Sequence, residues 1–182
     1  MEHTGLHLEK FPDVHIIEAS SEEYSKQGAM FSNCEKYRYL LWREWNATLP
    51  SLAFLMLNPS TADCFKSDPT VTRCLNFARK WGYGKLIVIN IFALRSTDPA
   101  GLYTCEDPVG QYNDFSIGLT RSNVDKVVCA WGKHGALNNR GKEVIGRIGE
   151  KAYYLRLNKD GSPAHPLYLP QTLTPQKFEF LA

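Results

Sequence analysis

Residues 52–63 read Leu-Ala-Phe-Leu-Met-Leu-Asn-Pro-Ser-Thr-Ala-Asp, and the interpretation of the whole chain begins from this stretch. Its first six residues are apolar, and so short an apolar run before turn residues is typical of a strand buried on both faces. Pro59 cannot donate a hydrogen bond to a sheet, so we expect the strand to end there. Ligands of open α/β sheets bind beyond the carboxyl ends of strands. Asn58 is therefore the first candidate for a functional residue.

The composition is that of an ordinary globular domain, with 182 residues, of which 43% are hydrophobic and 22% charged. We predict a single domain over residues 1–182, with residues 1–13 flexible. The formal net charge of +2 neither requires nor excludes a nucleic-acid partner, because a basic groove can lie within a nearly neutral protein. No apolar run approaches the ~20 residues of a membrane span, and the N-terminus has no apolar signal region. A cytoplasmic location with no membrane contact is therefore expected.

The five cysteines, at positions 34, 64, 74, 105 and 129, contain no Cys-x-x-Cys pair. This spacing argues against both a disulfide framework and a zinc ribbon. Reduced thiols are the main interpretation, and an iron–sulfur site built from scattered cysteines is a minor alternative. We expect neither a metal nor another cofactor.

Strand-like segments alternate with helix-like segments along most of the chain, which predicts an α/β fold. Strands are predicted at residues 14–19, 36–45, 52–57, 85–90, 126–131 and 152–157. Helices are predicted from Asp68-Pro69 to Gly82, at 112–123 and at 140–149, the first because Asp caps helices and Pro favours their first position. Residues 20–33 are polar and predict one helical turn, and residues 91–110 predict a long functional loop.

From these elements we expect three layers, α/β/α, around a central and mostly parallel four-stranded sheet. An antiparallel N-terminal edge is predicted, formed by strands 36–45 and 52–57. Because the carboxyl ends of parallel strands share one edge, Asn58, Asn90, residues 132–134 and His165 should converge on one crevice. Two asparagine amides suit the edge of a nucleobase, and a histidine can stabilise an anion or transfer a proton.

Four motifs in this order resemble those of the uracil-DNA glycosylase superfamily. They are Asn58-Pro59, Val88-Ile89-Asn90, Ala130-Trp131-Gly132 and His165-Pro166-Leu167, and together they extend over most of the chain. The first is similar to the Gly-Ile-Asn-Pro-Gly motif of the mismatch-specific members. The chain also resembles an uncharacterised bacterial and phage family that has Leu-Asn-Pro-Ser-Thr-Ala-Asp and His-Pro-Leu-Tyr-Leu signatures.

The resemblance implies a monofunctional DNA glycosylase without a cofactor, which releases a flipped-out base and leaves an abasic site. It assigns base recognition to Asn90, stabilisation of the departing base to His165 and positioning of the attacking water to Asn58. An apolar residue after His165 would fill the gap left in the duplex, and the candidates are Leu167, Tyr168 and Leu169.

The chain differs from the superfamily motifs at positions that the resemblance places near the base-binding pocket. Met56 replaces the leading glycine of the first motif. Ser60 occupies the position of a tyrosine that excludes bulky groups in the uracil-specific enzymes, so a C5-substituted or otherwise modified pyrimidine is the expected substrate. Phe65 is a further candidate for base binding. Arg95, Lys133 and His134 are candidates for DNA contact, together with Leu167 and Tyr168.

The same residues and motifs also allow other interpretations. The site residues have structural explanations, because Asn58-Pro59 can be a simple turn, Asn90 a loop cap and His165 an exposed loop residue. An N-glycosidase acting on free nucleotides or nucleosides is one alternative function, and a catalytically inactive nucleic-acid-binding module is another. A cysteine hydrolase that pairs Cys64 with His165 is the least favoured of the four.

Overall fold

The computed structural model describes residues 11–60 and 65–179, and these contain eight strands and four α-helices. The strands are β1 (Val14–Ala19), β2 (Lys26–Ser32), β3 (Arg38–Glu44), β4 (Ser51–Met56), β5 (Lys85–Asn90), β6 (Lys126–Cys129), β7 (Ala152–Tyr154) and β8 (Gln176–Lys177). The helices are α1 (Pro69–Lys80), α2 (Ala100–Thr104), α3 (Asn113–Asn123) and α4 (Arg140–Ile148).

All eight strands form one sheet in the order β1-β2-β3-β5-β4-β6-β7-β8. The four strands β5, β4, β6 and β7 are parallel to one another, whereas β1, β2, β3 and β8 add antiparallel neighbours. The mixed α/β class and the parallel core of four strands are confirmed. The antiparallel N-terminal edge is also confirmed, but it consists of three strands, β1 to β3, and β8 adds an unpredicted antiparallel strand at the other edge.

The helical turn predicted within residues 20–33 is wrong, because residues 20–25 are bends or irregular and β2 forms the second half of the segment. Residues 27–32 are all buried, since β2 lies between β1 and β3. Gly28 shows how close this packing is: a Cβ atom there would lie 2.3 Å from the carbonyl oxygen of Ile17 and 2.5 Å from the ring of Trp42. Strand pairing on both sides therefore overrides the polar composition of the segment.

The predicted pairing of strand 36–45 with strand 52–57, now β3 and β4, is also wrong. β3 pairs antiparallel with β5, with Leu41 opposite Val88, and β4 lies between β5 and β6. The amides of Trp45 and Asn46 donate to the carbonyl of Gly84, which directs the end of β3 to the start of β5. β4 takes a central position because all of its residues from 52 to 56 are buried and both of its neighbours are parallel.

Two hydrophobic clusters cover the sheet, and alternating residues of β4 belong to different clusters. One cluster contains Phe54 with the buried side of α1, and the other contains Leu55 with the buried sides of α3 and α4. The predicted start of α1 is confirmed, since an Asp68 carboxylate oxygen accepts a hydrogen bond from the Val71 amide at 2.8 Å.

The long connection predicted over residues 91–110 is not a structureless loop, because α2 lies within it and buries Leu102. The flexibility predicted for the N-terminus falls mostly on residues outside the described part of the chain. Within that part, none of the helices combines the length and the apolar character needed to cross a membrane.

Candidate functional site

The carboxyl ends of β4 and β5 are held side by side beyond the last residues of both strands. The amide of Ile91 donates to the carbonyl of Met56 at 2.9 Å, and the amide of Phe92 donates to that of Leu57 at 3.0 Å. The two asparagines that end these segments, Asn58 and Asn90, therefore follow adjacent parallel strands at the same edge of the sheet.

The end of β6 and the segment before His165 are joined at this same edge. The amide of Gly132 donates to the carbonyl of Pro163 at 2.8 Å, and Ala130 donates to Leu55 of β4 at 2.8 Å. Gly132 has φ +70 and ψ -166, a conformation that a side chain would disfavour. The backbone thus brings together the four segments in which the site residues were predicted.

Asn58 is half-buried, and its side chain is fixed by three carbonyl groups. Its Nδ2 atom donates to Ser96 at 2.8 Å, to Pro59 at 3.2 Å and to Leu94 at 3.4 Å. An atom surrounded by carbonyl oxygens must be the amide nitrogen, which sets the orientation of the side chain. The Oδ1 atom is then directed away from these carbonyls as a hydrogen-bond acceptor.

Asn90 is the last residue of β5 and is only 3% exposed. It follows Leu86 and Val88 in the alternation of the strand, so its side chain lies on the same face of the sheet as α1. Within the residues that the structure describes, its side-chain amide makes no hydrogen bond. Neither of its amide atoms is among the fully buried unpaired atoms of the described residues, so the amide keeps a narrow opening to solvent from which a ligand can reach it.

The backbone carbonyls of Asn90 and Ile91 are bound by a buried clamp that sequence reasoning missed. Asn113, at the start of α3, donates from Nδ2 to the carbonyls of Asn90 and Ile91, both at 3.0 Å. Arg140 donates from Nε to the Ile91 carbonyl at 2.8 Å. An asparagine and an arginine in amphipathic helices carry no sequence signal for this role, because only the packing of α3 and α4 under β5 creates it.

The side chain of Arg140 is only 4% exposed, and two carboxylates bind its guanidinium. One of its Nη atoms lies 2.5 Å from Asp114 of α3, and the other lies 3.1 Å from Glu143 of α4. Asn113 is fully buried, and its Oδ1 atom has no hydrogen-bond partner among the described residues. The clamp therefore consists of two buried side chains: Asn113 binds the carbonyls of Asn90 and Ile91, and Arg140 binds that of Ile91.

His165 precedes the 3-10 helical turn Pro166–Tyr168 and caps it. Its Nδ1 atom accepts a hydrogen bond from the Leu167 amide at 3.4 Å, so Nδ1 is unprotonated and Nε2 carries the proton. Desolvation lowers the pKa of His165 although the residue as a whole is exposed, and the nearby Asp68 carboxylate opposes that shift. A neutral imidazole with a free Nε2–H donor is the resulting species.

Asp68 connects the Asn58 turn with the start of α1. Besides capping the helix, it accepts a hydrogen bond at 3.3 Å from the hydroxyl of Ser60. The same carboxylate influences His165 electrostatically. Ser60 is thereby held against the helix start, and its predicted position close to the site is consistent with these contacts.

The candidates for insertion into DNA differ in exposure. Tyr168 is 89% exposed at the tip of the turn, and Leu167 is half-buried. Leu169 is only 1% exposed and belongs to the cluster that contains α1, so its suggestion as a wedge is wrong. Of the three residues after the His165-Pro166 pair, Tyr168 is the one presented to solvent.

The predicted cationic contacts are partly engaged within the protein. The Arg95 guanidinium donates to the Glu35 carbonyl at 2.9 Å and lies 5.1 Å from the centre of the Phe31 ring. Lys133 is exposed. His134 is half-buried and its Nδ1 atom lies 2.9 Å from the hydroxyl of Tyr103.

Two further predicted residues lie at the limits of the described chain. Phe65 is exposed at 38% and directly follows residues outside the described part. Cys64 is one of those residues, so the cysteine-hydrolase alternative stays a prediction. Among the described residues, no three histidine, cysteine, aspartate or glutamate side chains are grouped closely enough to hold a metal ion.

Together these features define a mixed α/β protein with a polar candidate site at the carboxyl edge of its parallel strands. The chain belongs to the DUF1643 family, described as a protein of unknown function, whose model matches residues 38–167. The matched interval contains Asn58, Asn90 and His165.

The search of curated proteins found no match to the chain. Among solved structures, the chain is similar to a putative acetyl xylan esterase from Bacteroides fragilis NCTC 9343, with 14% identity and a TM-score of 0.43. That similarity covers 87% of this chain and 56% of the other, so this chain spans little more than half of its neighbour's length.

Proposed function

We propose that the protein is a DNA glycosylase that hydrolyses the N-glycosidic bond of a flipped-out, modified pyrimidine. The observation that carries this proposal is the buried Asn90 amide, which makes no hydrogen bond within the described residues at the carboxyl end of a central strand. A buried donor and acceptor on one planar group match the donor and acceptor edge of a nucleobase. The clamp of Asn113 and Arg140 holds the backbone of Asn90 for this contact.

Asn58 and His165 have separate roles in the hydrolysis. As the bond between the sugar and the base breaks, its electron pair leaves with the base, and Nε2–H of neutral His165 donates a hydrogen bond to the resulting anion. Oδ1 of Asn58 accepts a hydrogen bond from the attacking water, whose oxygen joins the anomeric carbon. The water proton passes to solvent and the base is protonated, which leaves an abasic site.

The substrate and the DNA partner belong to the same proposal. Ser60 is small and is hydrogen-bonded to Asp68, which leaves room for a substituent at C5 of the pyrimidine. Tyr168 would fill the gap in the duplex, and Lys133 would contact a phosphate. The three-layer α/β/α arrangement is also proposed, with the two hydrophobic clusters in its support.

The direct test is mass spectrometry of bases released from duplexes that carry uracil, thymine mismatches or modified cytosines. We expect release of a modified pyrimidine and a loss of about 100-fold or more in rate for His165→Ala, because the departing base loses its hydrogen-bond donor. Lys142→Ala, an exposed change on α4, is the control and should release the base at the wild-type rate. Release of unmodified uracil alone contradicts the open pocket, and no release from any duplex contradicts the glycosylase.

The pH dependence of base release tests the protonation state of His165. Because its pKa lies below the ordinary value, most of the imidazole is neutral at pH 7, so the rate of base release should change little from pH 7 to pH 8. As pH falls below 6.5 and passes the lowered pKa, the imidazole gains a proton, the Leu167 amide loses its acceptor and the rate falls. A rate that rises on acidification would show instead that the charged imidazole is the active form.

The engagement of Arg95 favours a second candidate, an N-glycosidase acting on free nucleotides or nucleosides. Arg95 contacts Glu35 and Phe31, and an enzyme for small substrates needs no DNA-binding cation at that position. Comparing base release from a duplex with release from the matching nucleotide separates the two functions. An inactive binding module, by contrast, predicts base-dependent DNA binding that survives Asn58→Ala, with no abasic product from either protein.

A further inference from the structure

A cavity of about 350 Å³ lies under α3, away from the candidate active site. Its wall includes Ser51 and Lys85, the first residues of β4 and β5, whereas Asn58 and Asn90 follow the last residues of the same strands. The cavity is therefore at the opposite edge of the parallel strands. Its volume is at the lower end of the range for small-molecule pockets.

One side of the cavity is apolar and comes from the sheet and from α3. It is formed by Leu40, Trp42, Ile87 and Leu119. Such a wall favours a ligand with an apolar body, since most ligand pockets are lined by apolar and aromatic side chains with few polar groups. Trp42 is 5% exposed, and its indole Nε1 has no hydrogen-bond partner in the part of the chain that the structure describes.

Thr120 of α3 contributes a hydroxyl to this cavity, although the residue is only 2% exposed. Two other hydroxyl residues on the same helix satisfy themselves by bonding four residues back: Ser116 donates to Tyr112 at 2.9 Å and Ser122 donates to Gly118 at 3.1 Å. Thr120 makes no such bond within the described residues. Its buried hydroxyl is therefore left for a group that enters the cavity.

The charged side chains that line the cavity are two lysines and one glutamate, so their net charge is positive. Lys85 pairs with Glu44 at 3.4 Å, and both of these side chains are largely buried. Lys26, the third charged residue of the lining, is half-buried and has no ion pair within the described residues. A half-buried ammonium beside an apolar wall attracts an anion more strongly than an ammonium in bulk water does.

We propose that this cavity binds a small monocarboxylate with an apolar body, such as a medium-chain or aromatic acid. The carboxylate accepts hydrogen bonds from the ammonium of Lys26 and the hydroxyl of Thr120, and the apolar body lies against Trp42 and Leu119. This site is separate from the proposed glycosylase site and does not depend on it.

The test is isothermal titration calorimetry of the whole protein with octanoate and with benzoate, compared with octylamine. Saturable binding of at least one carboxylate is expected, with no binding of the amine. Lys26→Gln should weaken this binding about tenfold or more, because a charge-assisted hydrogen bond is lost. Thr120→Val should weaken it also, and Thr120→Ser should restore it because the hydroxyl returns.

Two controls keep this result interpretable. Lys142→Gln removes an exposed lysine of α4 and should bind the carboxylate as the wild type does. Thermal unfolding without ligand shows whether each variant is folded. If Thr120→Val does not fold, the binding measured for Lys26→Gln tests the proposal. Failure of both carboxylates to bind the wild type, equal binding by Lys26→Gln, or binding of the amine overturns the proposal.

Discussion

Replacement of Asn58 by aspartate should lower the free energy of unfolding by about 1–3 kcal/mol and should slow base release rather than accelerate it. A carboxylate is a better general base than an amide, so chemistry alone would predict a faster enzyme. The structure predicts the opposite, because the atom that becomes an oxygen faces the carbonyls of Ser96, Leu94 and Pro59. Three donated contacts are replaced by repulsion between oxygens.

The measurements for Asn58→Asp are urea unfolding and the rate of base release. Asn46→Asp is the matched control, because Asn46 uses its Oδ1 atom to accept from the amide and the hydroxyl of Thr48, and aspartate keeps that acceptor. The control should be as stable as the wild type. A stable Asn58→Asp protein with faster base release would show that the amide is not held by these carbonyls.

Replacement of Asn113 by alanine should cost about 2–3 kcal/mol of stability, because the buried Asn90 carbonyl loses its donor from α3. The Ile91 carbonyl keeps the contact from Arg140, which limits the loss. Base release should fall further than the unfolded fraction explains, since Asn90 is no longer held in place. Single-turnover rates under conditions where the variant is fully folded measure this second effect.

The control for Asn113→Ala lies at the other end of the same helix. Asn123 is exposed and donates to the Leu119 carbonyl at 2.8 Å, so Asn123→Ala removes a hydrogen bond that water can replace. It should cost well under half as much stability as Asn113→Ala and leave base release unchanged. Equal losses from the two variants would contradict the clamp.

The elements that could be predicted are those whose signals are local. The apolar run in β4 and the Asp68-Pro69 pair at the start of α1 each specify their own structure, because burial on both faces and helix capping depend on neighbouring residues. β2 could not be predicted in this way. Its seven residues mix polar, glycine and apolar types, and they form a strand because β1 and β3 supply hydrogen bonds on both sides.

The features of the candidate site also separate into those that local sequence signals predict and those that depend on tertiary contacts. The residue types and their positions at the ends of β4 and β5 identified Asn58 and Asn90, since strand ends and turn residues are visible in the sequence. The orientation of the Asn58 amide, the protonated nitrogen of His165 and the second role of Asp68 were not visible. Each depends on a hydrogen bond or an electrostatic contact between residues that folding alone brings together.

By itself, the sequence determined a mixed α/β chain with four parallel strands and a polar edge at their carboxyl ends, because periodicity and turn residues act over a few positions. Only the tertiary structure decided that β4 is central, that Asn58 is held through its nitrogen and that Asn113 and Arg140 bind the carbonyls of Asn90 and Ile91. Their contacts join residues dozens of positions apart. Such contacts leave no local pattern, since packing of the whole sheet against its helices is what creates them.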